Sequence, residues 1–421
     1  MLALRDLAQV ITLAGGPAPR CGADMRELGI IRNGAIIIRG DRIAWVGPTQ
    51  DLPSCGLEKG CRELGGGARE LVALPGFVDA HTHAIFAEHR VDEYEQRCLG
   101  KSYEEIAAAG GGIRASVRSL RQASLSELVT RTERRFRHFL EHGTTTIEAK
   151  SGYGLDTDEE LKMLRAIAAL RDSSSLEVVP TFLGAHAIPD EHLESRRDYI
   201  DEVIREMIPR VAQEGLASFC DVFCDTGYFE VDEAREILLA ARSAGLGLRI
   251  HADELGHTGG TRLAAELGVS SADHLEWADE EDIARLRAAG TVATLLPGTA
   301  FNLGLSRYPP ARKLIEAGVP VALATDFNPG SCFTPNMQLI LSIACTQLKM
   351  TPAEAVTAAT LNGAASLGLS GRLGSIEEGK QADIALMDAA DYREIPYFFG
   401  VNHCVAVIKK GRIVVDRMEK P

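Results

Sequence analysis

The sequence predicts an α/β protein: a TIM (β/α)8 barrel with a small β-sandwich-like satellite domain built from both termini. Three observations predict it. Through the middle of the 421-residue chain, apolar strand-like runs alternate with amphipathic helical stretches, the grammar of βα units around a parallel sheet. Several of those helices are followed directly by glycine, where a left-handed cap is wanted. Both ends of the chain carry hairpin signals instead.

The strand candidates of the middle part are 73–79, 144–148, 177–183, 220–223, 246–250, 271–275, 291–295 and 320–325. Helical stretches 126–141, 158–171, 232–244, 279–288 and 310–317 fall between them, and Gly143, Gly245, Gly290 and Gly318 each follow a helix. Eight units in about the expected length argue for a closed barrel, although an open doubly wound sheet shares the same alternation. At the amino end, 35–38 and 42–46 flank Arg39-Gly40-Asp41. At the carboxyl end, 405–408 and 413–415 flank Lys409-Lys410-Gly411-Arg412, and 384–387 adds a short strand. The expected division is therefore 1–72 and 373–421 for the satellite and 73–372 for the barrel.

The formal net charge is −14, and Lys and Arg are scattered. That excludes a nucleic-acid or anionic-membrane surface as the expected partner. Nine cysteines form no paired CxxC spacing, and Cys220 and Cys224 lie in an apolar run where core packing accounts for them. Neither a signal peptide nor a spanning apolar run is evident, so a cytoplasmic protein is expected. Gly65-Gly66-Gly67 and Gly110-Gly111-Gly112 match no phosphate loop, because neither leads from a strand into a helix with Lys and Ser or Thr following. The first reads as a link between the β segment and the barrel, and the second as a flexible loop that could hinge over the mouth.

His81 and His83 close the run Leu74-Pro75-Gly76-Phe77-Val78-Asp79-Ala80. Strand side chains alternate, so two imidazoles two residues apart face the same side. Neutral imidazole pairs chelate zinc or iron. Lys150 and Tyr153 follow the second strand, His186 the third, His251 and Glu254 the fifth; His274 sits on the sixth, and Asp326 follows the eighth. In a TIM barrel these positions converge on one face. The remaining histidines, His89, His138, His142, His192, His257 and His403, read as structural or solvated.

These residues resemble the metal-dependent amidohydrolase superfamily, and most its mononuclear branch, which places a Glu three residues after the fifth-strand His. More closely, nearly the whole chain resembles the imidazolonepropionase family. Glu148-Ala149-Lys150-Ser151-Gly152-Tyr153-Gly154-Leu155 and Thr325-Asp326-Phe327-Asn328-Pro329-Gly330-Ser331 carry that likeness. The segments around His186 and His274 complete it. The resemblance implies one divalent metal, zinc or iron, on His81, His83, His251 and Asp326. It implies Glu254, His274 and Asp326 as the catalytic groups. Arg90, Tyr153, His186, Glu254, Asn328, Gly330 and Ser331 would bind a small substrate carrying a carboxylate, with Tyr103 as a further contact. Composition alone places Arg90 in a solvated charged loop. The implied reaction is hydrolysis of a cyclic amide C–N bond, by an enzyme expected to be a homodimer. A deaminase would use the same metal, Glu and His, but has no use for an Arg clamp on a carboxylate; a non-catalytic scaffold of this fold has no use for the ligands.

Overall fold

The computed structural model describes residues 1–53, 62–65, 70–101, 105–106 and 109–418. The amino-terminal part gives β1 (Leu2–Ile11), β2 (Ile30–Arg39), β3 (Arg42–Pro48), β4 (Arg62–Gly65) and β5 (Leu71–Pro75). The middle gives β6 (Phe77–Asp79), β7 (Thr144–Lys150), β8 (Glu177–Ala185), β9 (Phe219–Cys224), β10 (Gly247–Ala252), β11 (Ser271–His274), β12 (Val292–Leu295) and β13 (Val321–Leu323). The carboxyl end gives β14 (Ile384–Asp388), β15 (Cys404–Lys409) and β16 (Arg412–Asp416).

Strands β6 to β13 pair side by side, in chain order and all parallel. The ring closes just beyond the two outer strands. Thr82 bridges Phe327 in parallel register, His83 N donates to the Phe327 carbonyl at 2.9 Å, and Asp326 N donates to the His81 carbonyl at 3.1 Å. An open sheet is thereby ruled out, and the closing bonds run through the candidate ligands themselves. Helices Leu125–Glu141, Thr157–Ser173, Val231–Ser243, Glu280–Ala289 and Ala311–Ala317 lie where they are expected, within two residues at each end. Ser124 starts the first with a reciprocal capping box to Glu127, and Gly143, Gly245, Gly290 and Gly318 all take positive φ.

The two termini join in a second, mixed sheet of order β16-β15-β14-β5-β1-β2-β3, with β4 on β1. Ala382 ties the two hairpin tips together, donating to the Asp41 carbonyl at 2.8 Å and accepting from Gly411 N at 3.0 Å. The sheet thus wraps its own apolar core of Leu4, Ile36, Ile384 and Ile408. One expected strand proves to be two. The run 73–79 divides after Pro75, so that Leu71–Pro75 pairs with β14 and Phe77–Asp79 with β7. Proline cannot donate to a ladder, and the next amide, Gly76 N, bonds the Asp383 carbonyl as the chain crosses between sheets. An unbroken apolar run conceals such a crossing. Gly66, Gly67 and Tyr103 lie outside the described residues.

Candidate active site and metal centre

The alternation read from the sequence holds beyond β6. Thr82 turns to β7, its hydroxyl donating to the Glu148 carbonyl at 2.7 Å, while His81 and His83 face the barrel axis. His83 Nε2 lies 3.3 Å from Nε2 of both His81 and His251, and Asp326 Oδ1 lies 3.5 and 3.6 Å from the His81 and His83 nitrogens. All four side chains are buried. Tetrahedral ligands about 2.1 Å from a zinc-sized ion stand about 3.4 Å apart, so the spacing fits a single ion.

The outer nitrogens make the same point. Asp273 accepts from His81 Nδ1 at 2.7 Å, and Asp221 accepts from His251 Nδ1 at 3.1 Å. A proton held on Nδ1 leaves a lone pair on Nε2, and those lone pairs converge with only a cation to satisfy them. Burial, with the neighbouring cationic groups, holds His81 and His83 well below the usual imidazole range, in the neutral form that binds metal. Asp326 is pushed up to about 6, chiefly by burial, a shift that a bound cation would reverse.

Below this cluster lies a network that the sequence analysis did not single out. Lys150 Nζ contacts Glu148 and Asp221, each at 2.7 Å, and Arg249 contacts Asp273 at 3.3 Å, all fully buried. Burial alone would lower the Lys150 pKa; the Asp221 and Glu148 carboxylates outweigh it and raise it. Lys150 therefore sits under the site rather than in its mouth. Deleting one member of such a set strands a buried charge, at a cost of about 3–5 kcal/mol. The available signal was ionisable residues inside otherwise apolar strands, Glu148 and Lys150 two apart on one of them.

On the opposite side of the cluster, His274 ends β11 with its Nε2 3.6 Å from Glu254 Oε2. Its Nδ1 has no hydrogen-bond partner among the described residues. His274 also forms, with His81 and Asp326, a second set of potential ligand atoms within 4.8 Å of one another. Asp225 Oδ2 accepts from the amides of Glu254 and Leu255 at 2.7 and 2.8 Å and so fixes the turn that presents Glu254. Burial first, then the charges of Glu276, Asp326 and Asp225, raise the Glu254 carboxyl well above its usual range. Burial also pushes Glu276, behind His274, up to about 8. Asp225 and Glu276 carried no signal of their own in the sequence.

The cluster floors a cavity of about 840 Å³ whose walls include Arg90, Tyr153, His186, Glu254, His274, Asn328 and Ser331. His186 stacks on His83 with 5.1 Å between ring centroids, and its Nδ1 donates to the Gly152 carbonyl at 2.8 Å, which leaves Nε2 for the cavity. Burial brings its pKa down to about 3. Arg90 is buried, contrary to its reading from composition. Among the described residues its Nε and Nη1 have no hydrogen-bond partner, and Glu93 stands 3.7 Å from Nε. Gly330 does not line the cavity. It makes room for Arg90, since a Cβ there would fall 1.1 Å from Nη2. Asn328 spends its side chain on its own loop, accepting from Gly330 N and Ser331 N at 2.7 Å each and donating to the Asp326 carbonyl. Gly111 and Gly112 line the same cavity, with Gly112 N bonded to Glu93.

Comparison with known proteins agrees with this geometry. The model of the amidohydrolase family matches residues 72–414. The chain belongs to the amidohydrolase family. It is 52% identical over 420 residues to an imidazolonepropionase of Solibacter usitatus, covering 99% of each chain. It is 47% identical over 417 residues to an imidazolonepropionase of Rubrobacter xylanophilus, covering 98% of each. An adenosine deaminase structure from Xanthomonas campestris with bound zinc shares the fold at a TM-score of 0.69 and 19% identity, over 99% of this chain and 93% of that one. The protein is thus a hydrolase of this family, with a side-chain cluster fit for a divalent metal. Among the described residues no helix is long and apolar enough to cross a membrane.

Proposed function

We propose that this hydrolase opens the ring of 4-imidazolone-5-propanoate to N-formimidoyl-L-glutamate, a step of histidine degradation. The observation that carries the proposal is Arg90: a buried guanidinium, two of whose nitrogens have no hydrogen-bond partner among the described residues, on the wall of a cavity floored by the histidine cluster. A planar fork of donors suits a carboxylate, and the substrate bears a propionate on the ring to be opened. The relatives named above support the same substrate.

His81, His83, His251 and Asp326 would hold one ion, zinc or iron, since three imidazoles and one carboxylate suit either. When bound there, a divalent ion polarises a carbonyl and lowers the pKa of water from about 16 to about 7. His274 and Asp326 flank the position from which water reaches the ring carbonyl carbon, and between them they orient it and take its proton. The new C–O bond forms as the ring C–N bond breaks. The carbon keeps the oxygen as a carboxylate, and the nitrogen leaves with a proton. Glu254 delivers that proton: it stands beside His274 on the cavity wall, and burial shifts its carboxyl upward, towards the protonated form. Tyr153 and His186 hold the ring against His83, and the loop ordered by Asn328 keeps Arg90 in place. The protein would work in the cytoplasm, and a homodimer is the expected assembly.

A panel of ring compounds tests the substrate. Turnover should be confined to the imidazolone that carries the propionate, with cytosine and guanine untouched; deamination of either would favour the deaminase alternative. Metal analysis of the purified protein should give close to one equivalent. Two tightly held ions, or full activity after exhaustive chelation, would contradict the mononuclear site.

A further inference from the structure

Away from the barrel mouth, helix Leu125–Glu141 borders a second cavity, of about 610 Å³. Arg131, Arg134, Arg135 and His138 recur three and four residues apart, so they share one face of the helix and line the cavity together. Phe86, Phe327 and Phe333 supply an aromatic wall.

The three guanidiniums are poorly compensated. Arg131 pairs with Glu88. Arg135 directs Nη1 to the Ala84 and Phe86 carbonyls and lies 3.5 Å from the Phe86 ring centre, with no bond from Nε or Nη2 among the described residues. Burial lowers its pKa to about 10, so it stays charged. Arg134 is exposed and has no hydrogen bond or ion pair among the described residues. Among the described residues one carboxylate, Glu88, lines the cavity with three arginines, in a chain of net charge −14. Like charges gathered in a concave, partly apolar pocket raise the local concentration of anions.

We propose that this cavity is a binding site for a small polyvalent anion bearing phosphoryl or carboxylate groups. Guanidinium forks take its oxygens, and the aromatic wall takes its body. The site communicates with the barrel mouth through a shared wall. Asn328 lines both cavities and orders Gly330, which abuts Arg90.

Titration calorimetry on the metal-loaded full chain, at constant ionic strength, separately with inorganic phosphate and with succinate, tests this. At least one of the two should bind saturably at one site per chain. Arg134→Ala should weaken that binding tenfold or more, and Arg90→Ala should retain it. Arg134 is exposed, so Arg134→Ala should fold and keep its basal turnover. A response to phosphate alone assigns a phosphoryl ligand, to succinate alone a dicarboxylate, and to both a general polyanion site. No saturable binding of either probe overturns the proposal. So does binding that Arg134→Ala leaves unchanged or that Arg90→Ala abolishes.

Discussion

His274→Ala should lose about a hundredfold or more in kcat and keep its metal. The magnitude is the usual worth of a positioned acid or base. Metal retention is the sharper half of the expectation, because His274 also stands within ligand distance of His81 and Asp326. Its attachment favours the proton-handling role. His274 and Leu275 both take positive φ, +79° and +71°, a conformation that costs energy for side chains of this size. Leu275 N to the Ala252 carbonyl and Trp277 N to the Asp253 carbonyl hold the bend. The bend brings the imidazole beside Glu254, while His83 Nε2 keeps His81 and His251 as its neighbours at 3.3 Å. Metal content and kcat should be measured on the same preparation. A variant that emerges metal-free would make His274 a ligand.

Arg90→Ala should raise KM steeply. Removing one partner of a buried charge-assisted pair costs roughly 2–5 kcal/mol, which corresponds to about thirtyfold to several thousandfold in binding. Part of the loss should appear in kcat if the clamp also orients the ring. Arg90→Lys should rescue only in part, since an ammonium offers a point charge without the planar fork. A substrate analogue lacking the propionate should bind the wild-type and Arg90→Ala proteins about equally poorly. Unchanged kinetics in Arg90→Ala would remove the clamp from the account.

How legible these features were depends on how far apart their partners lie in the chain. The His81 and His83 pair was legible because period-two alternation is a local property, and the barrel strands were legible as apolar runs between helical stretches, although the first run concealed a crossing between two sheets. The network of Glu148, Lys150, Asp221, Arg249 and Asp273 was not. Glu148 and Lys150 share a strand, but Lys150 and Asp221 are 71 residues apart and His81 and Asp273 are 192 apart, so the strands carrying these groups meet only when the barrel closes. Arg90 illustrates the opposite error. Its neighbours Glu88 and Asp92 suggest a solvated loop, yet the chain folds the guanidinium against Gly330, 240 residues on, where only a glycine leaves space. Asn328 was expected to bind the substrate, but its side-chain hydrogen bonds are spent within residues 326–331, as short polar side chains in turns commonly spend them.

Ring opening and deamination part company in their products, so product analysis tests the central claim most directly. Purified, metal-loaded protein should consume 4-imidazolone-5-propanoate, seen as loss of imidazolone absorbance, and release N-formimidoyl-L-glutamate mole for mole with no ammonia. Persistent imidazolone absorbance, or release of ammonia without formimidoylglutamate, would contradict it.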